Sequence, residues 1–108
     1  MTVSELVARA DLKAAALPDG EREITGVYIG DLLSWVMGRA ASGDAWITIM
    51  SNRNVAAVAT LADTACVILA EGVQPDEGVA ALAEQKGINL LLSGASAYDT
   101  ALRLRDLL

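Results

Sequence analysis

The chain has 108 residues, 54% of them hydrophobic, and a formal net charge of −6 from 14 acidic and 8 basic side chains. That length suits one domain able to build its own core. Acids outnumber bases seven to five over residues 1–54 and seven to three over 55–108, so no basic stripe exists for nucleic acid or an anionic membrane.

Histidine is absent, which removes the commonest general base, the commonest zinc ligand and any conventional Ser-His-Asp triad. Cys66 is the only cysteine and lies inside the apolar run Ala65–Ala70. It has no intrachain partner, and nothing beside it in sequence favours a thiolate, so a buried, inert thiol is expected. The aromatic residues are Tyr28, Trp35, Trp46 and Tyr98, which leaves Ala, Val, Ile and Leu to form most of the core. No apolar run approaches the ~20 residues of a membrane span. Thr2–Glu5 has no signal-peptide character, and a cytoplasmic location is expected.

In chain order, Thr2 and Glu5 have capping-box spacing ahead of Leu6, Val7 and Ala10, which predicts a first helix ending near Ala10. Lys13–Leu17 reads as a strand and Pro18-Asp19-Gly20 as a turn. The acids Asp19, Glu21 and Glu23 mark a solvated face. Ile24–Ile29 is a strand closed by Gly30. Asp31 is placed to N-cap a helix carrying Leu33, Val36, Met37 and Ala40, which Ser42-Gly43-Asp44 breaks.

Trp46–Met50 is nearly continuous in apolar residues, the pattern of a strand buried on both faces. After polar Ser51–Asn54, a helix buries Val55, Val58, Ala59 and Ala62 and closes at Asp63. Ala65–Ala70 is a second buried strand, and Glu71–Pro75 a loop. Asp76 is placed to cap a helix containing Val79, Leu82 and Ala83, with Gly87 as its C-cap. Ile88–Leu92 is a third buried strand. Ser93–Ser96 leads to a last helix with Ala97, Ala101, Leu104 and Leu108 on one stripe.

Strands and helices alternating at this spacing predict an α/β fold: a mainly parallel sheet flanked by helices in three layers. The first two strands are the candidates for an antiparallel or edge addition. Parallel strands deliver their following loops to one edge of the sheet, where ligands bind.

The stretch from Ile24 to Gly72 and the βα unit after it resemble the DRTGG domain, and the resemblance covers nearly the whole chain as a single domain, 1–108. The run Gly26-Val27-Tyr28-Ile29-Gly30-Asp31-Leu32-Leu33-Ser34-Trp35-Val36-Met37 is especially similar to stand-alone versions of that domain. The family's Gly-Asp-Arg falls on Ser51-Asn52-Arg53, which keeps the arginine. Its Thr-Gly-Gly falls on Ala70-Glu71-Gly72, which keeps one glycine. Its Thr-Tyr-rich segment falls on Ser96–Thr100. The resemblance implies a fold like the amino-terminal domain of HPr kinase/phosphorylase. It also implies a regulatory or structural module without settled catalytic activity, and a protein partner encoded nearby.

The leading candidate site is Ser51, Asn52, Arg53 and Asn54. Free N–H groups at a helix start favour an anion there, and Arg53 adds charge; an ordinary N-cap with Arg53 in solvent explains the same residues. Glu71, Gly72 and Gln74 are placed to line the same crevice, although a turn glycine explains Gly72 equally well. Ser93, Ser96, Tyr98 and Thr100 offer hydroxyls at the third strand end, against capping for Ser96 and packing for Tyr98. No Gly-rich run ends in Gly-Lys-Ser/Thr, so no P-loop is present.

No catalytic residues, metal site or cofactor are expected. Two functions follow. One is a non-catalytic regulatory domain binding a small anionic ligand, such as a nucleotide or phosphorylated metabolite. The other is an interaction adaptor acting as a homodimer, because apolar content this high in a short chain leaves surface to bury against a second copy.

Overall fold

The computed structural model describes all residues, 1–108. The elements run α1 (Val3–Arg9), β1 (Lys13–Ala16), β2 (Gly26–Ile29), α2 (Leu33–Arg39), β3 (Asp44–Thr48), α3 (Asn54–Ala62), β4 (Cys66–Leu69), α4 (Val79–Lys86), β5 (Leu90–Leu92) and α5 (Ala97–Leu107). They form one five-stranded sheet in the order β1-β5-β4-β3-β2. β2 to β5 are parallel, and β1 joins β5 antiparallel.

Side-chain alternation divides the core into two layers. Ala45, Ile47, Cys66, Ile68 and Leu91 face α1 and α5, packing on Val3, Leu6 and Leu104. Trp46, Val67, Leu69 and Leu90 face the other way, against Val36, Val55, Val58, Val79 and Ala83 of α2, α3 and α4. The three crossover helices therefore share one face, as right-handed βαβ connections made in one direction along a sheet require. The three-layer α/β expectation holds. The first two strands are indeed the edge strands, but on opposite sides, and only β1 is antiparallel.

Local signals act largely as read. Thr2 and Glu5 form the reciprocal capping box, and Gly87 ends α4 at φ 75°. Cys66 is fully buried, and desolvation pushes its thiol up to about 12. No helix is long and apolar enough to cross a membrane.

Several local expectations are corrected. Asp31 does not cap α2; Leu32 holds that position without a side-chain bond. The Asp31 carboxylate instead accepts from Thr48 Oγ1 (2.8 Å) and from the Ile49 N–H (3.0 Å), fastening the end of β2 to the end of β3. Asp76 does not cap α4, which starts after Gly78 at φ 84°. The strand predicted at Trp46–Met50 starts two residues earlier and ends at Thr48, because Asp31 takes the Ile49 N–H that would extend the ladder. Met37 and Leu108 carry helical spacing yet lie exposed, since α2 buries only Val36 fully and Leu108 lies beyond the end of α5.

Candidate functional site

The carboxyl ends of β2, β3, β4 and β5 open on one edge of the sheet, as parallel pairing requires. β1 runs the opposite way, so its first residue joins them: Lys13 lies opposite Leu92, the last residue of β5. Five short segments therefore meet at that edge.

The segment after β3 is tied down internally. Ser51 Oγ donates to Asp76 Oδ1 (2.8 Å), and the Asp76 N–H donates to Ser51 O (2.9 Å), which joins the loops before α3 and α4. Asn52 Oδ1 accepts from the Asn54 N–H (2.9 Å). The Val55 N–H donates to Asn52 O and the Ala56 N–H to Arg53 O. The amides of Asn54, Val55 and Ala56 are thus already bonded, the first of them by the short Asn52 side chain, so the expectation of free N–H groups is narrowed to Ser51, Asn52 and Arg53, whose amides have no partner. What remains for an anion is those amides, the helix dipole and the Arg53 side chain, which is exposed and belongs to neither of the molecule's two ion pairs.

Arg53 and Asn54 border a depression of about 460 Å³ between α3 and α4, floored by Ala56, Ala57 and Leu82 with Lys86 alongside. A second hollow of about 300 Å³ beside Arg53 is lined by Glu77, Gly78 and Gln85.

Glu71 and Gly72 lie elsewhere along the edge. Glu71 adopts φ 63°, its N–H donates to Ala95 O (2.7 Å), and its Oε2 accepts from the Ala97 N–H (2.7 Å) at the start of α5. Its carboxylate thus occupies the helix end that an anionic ligand would otherwise use. Gly72 adopts φ 72°, with nothing near where a Cβ would stand, so backbone conformation rather than crowding calls for glycine. Gly72 and Gln74 border a depression of about 350 Å³ with Asp11, Lys13, Ser93 and Gly94. No depression is lined by both Arg53 and Gly72, so the expected single crevice is corrected to two separate hollows. The loops diverge because α3 and α4 turn back over one face, whereas the Glu71 turn leans toward β5 and α5.

The hydroxyl group at the third strand end is structural. Ser93 and Thr100 are buried and share a hydrogen bond of 2.8 Å, and Ser96 caps α5 through the Asp99 N–H. Tyr98 is 71% exposed, so the packing reading is corrected for it. Lys13 is the residue that sequence reasoning missed. Its signal was a lone charge opening an alanine strand, but only the pairing of β1 with β5 brings it beside Gly72 and Ser93. No three His, Cys, Asp or Glu side chains gather as a metal site would require.

Parallel strands with polar loops on one edge, and an antiparallel strand closing the far side, define a three-layer α/β domain. A profile of the DRTGG domain matches residues 9–107, and the chain belongs to the DRTGG domain family. Among solved structures, the chain is similar to the CBS and DRTGG domains of the regulatory region of Clostridium perfringens pyrophosphatase, complexed with its activator diadenosine tetraphosphate. The TM-score is 0.72 and the identity 12%, over 95% of this chain and 45% of that one. At that identity the likeness establishes the fold, and this chain spans less than half of that regulatory region. A comparison with curated proteins gives no significant match.

Proposed function

We propose that the chain is a non-catalytic regulatory domain that binds a small anionic ligand, a nucleotide or phosphorylated metabolite, at the carboxyl edge of its sheet. One observation carries this reading: Lys13 and Arg53, two exposed cations in an acidic chain, stand on that edge, each beside its own hollow. From β1 to β3 the edge spans three strand spacings, roughly 15 Å, which suits a ligand with separated anionic groups. The contacts proposed are Arg53 with Ser51, Asn52 and Asn54 on one side, and Lys13 with Gly72 on the other; Glu71, whose carboxylate is engaged by the Ala97 N–H, holds the start of α5 rather than an anion. The presence of a DRTGG domain in a pyrophosphatase regulatory region that holds a nucleotide activator supports the same reading.

Thermal unfolding across nucleotides and phosphorylated metabolites tests it. A ligand at 100 times its dissociation constant adds roughly 2.7 kcal/mol of stability. Arg53→Ala and Lys13→Ala should each weaken binding by about 1.5–3 kcal/mol, the range of a charged hydrogen bond. Binding that neither substitution alters would move the ligand away from this edge.

A second reading, self-association as an adaptor, is supported by the placement of exposed apolar side chains. Val27, Ile29, Leu32, Trp35 and Met37 all belong to β2, α2 or the loop joining them. Sedimentation tests it, with a dimer mass expected at micromolar concentration.

A further inference from the structure

We propose that the free edge of β2 seats a second copy of this chain, joined across a two-fold axis at Tyr28, so that two five-stranded sheets continue as one of ten strands. The proposal rests on the self-association reading and assigns its surface.

The main chain sets the register. In a parallel ladder, alternate residues turn their N–H and C=O groups to opposite neighbours. The Gly30 N–H donates to Ile47 O (3.2 Å), so the even-numbered residues of β2 address β3. Val27 and Ile29 therefore turn their N–H and C=O groups outward, and none of these has a partner outside the sheet. An antiparallel strand centred on Tyr28 places Val27 opposite Ile29 of the second copy, and Ile29 opposite its Val27. Each pair exchanges two bonds, so four main-chain hydrogen bonds close the edge. Only an antiparallel meeting obeys a two-fold axis, and only a residue-centred axis at Tyr28 matches both outward residues to their counterparts.

The side chains agree. Val27 and Ile29 lie on the face of α1 and α5, because their β3 partners Ala45 and Ile47 do. Antiparallel pairing would bring both pairs together on that face. On the other face α2 exposes Leu32 and Trp35, at 57% and 52%, three residues apart and so on one side of the helix, whereas Met37 projects from the opposite side of Val36. With Val27 and Ile29, Leu32 and Trp35 supply on the order of 400 Å² of exposed surface, about half of the roughly 800 Å² that a standard interface takes from each partner, the main-chain bonds and polar neighbours of the strand supplying the rest. Gly26–Ile29 carries no acid, no base and no proline, so two copies meet without like charges on the strand. Arg39 stacks over the Trp35 ring at 3.7 Å, which holds that aromatic surface in place beside the edge.

Two measurements on the full chain test the assignment. The first is sedimentation of the wild type and of Ile29→Lys, with circular dichroism confirming the fold. The wild type should run as a dimer, and the variant as a monomer, with at least a 100-fold weaker dimer. The second is amide exchange of the wild type against concentration: the Val27 and Ile29 amides should gain protection as dimer forms. A wild type that stays monomeric at high micromolar concentration overturns both the assignment and self-association, and leaves the ligand reading standing. A wild-type dimer whose Val27 and Ile29 amides stay unprotected overturns the β2 assignment alone. The exchange result decides even if Ile29→Lys fails to fold.

Discussion

At one edge of the sheet β1 reads Lys-Ala-Ala-Ala, and at the other β2 reads Gly-Val-Tyr-Ile. The β1 edge is guarded in the manner of strands that stay unpaired: a lysine at its start, small side chains, an irregularity between Ala14 and Ala16, and Pro18 soon after. The turn that follows is pinned by Asn89, which accepts from the Asp19 N–H (3.0 Å) and donates to Asp19 O (2.7 Å) and Ala65 O (3.0 Å). The β2 edge has none of these guards. It is held only from within, by Trp46 Nε1 donating to Gly30 O (2.8 Å) and by the Asp31 clamp on β3. An edge that is fastened inward yet left apolar outward is ready to be covered, whereas a guarded edge is finished.

The severest way to break this contrast is Trp46→Ala. Trp46 is fully buried and joins β2 to the core, so the change should cost about 3–5 kcal/mol in urea unfolding. Next come the two polar fasteners. Asn89→Ala, at the guarded edge, and Asp31→Ala, at the open one, should each cost about 1–3 kcal/mol by stranding buried or half-buried partners. Equal losses would show that both edges are anchored alike from within and differ only in their outer surface.

Smaller effects follow from titration. The Cys66 thiol has its folded value raised by burial. Its contribution is whole below the ordinary thiol value near 9.0 and is lost as pH rises toward about 12, so stability should decline in alkali. Cys66→Ala should flatten that decline, and native protein should resist thiol reagents. The smallest effect belongs to Asp63, held low first by the hydrogen bond from Arg22 and then by that from Ser42. A lowered carboxyl contributes above its ordinary value of 3.8 and loses that contribution as pH falls through the folded value. Arg22→Ala should therefore reduce the acid sensitivity of unfolding below that point.

The sequence carried the layers better than the edges. Continuous apolar runs at β3, β4 and β5 require burial on both faces, and helical spacing between them leaves little choice but parallel crossovers. The DRTGG resemblance rests on the same segments, and the family match covers them. That β1 lies at an edge is legible, but its partner is not, because pairing with β5 joins opposite ends of the chain and nothing local encodes it. Lys13 was missed for that reason. Asp31 reads as a cap because a good capping residue is also a good clamp, and only the proximity of Thr48 decides between the two roles. Arg53 and Gly72 were expected together because strand order alone says which edge a loop leaves from, not the direction in which it then leans.

The pairing of β1 with β5 also governs how the chain behaves while it is being made. Lys13 must wait for Leu92, roughly 80 residues later, on the order of several seconds of synthesis at ~5–20 residues per second. β2 finds β3 after roughly 18 residues, within a few seconds at the same pace. The strand with the longest wait is the one made of alanine and lysine, which attracts little while it is alone. The adhesive strand, Gly-Val-Tyr-Ile, has the shorter wait for the strand that covers one of its sides.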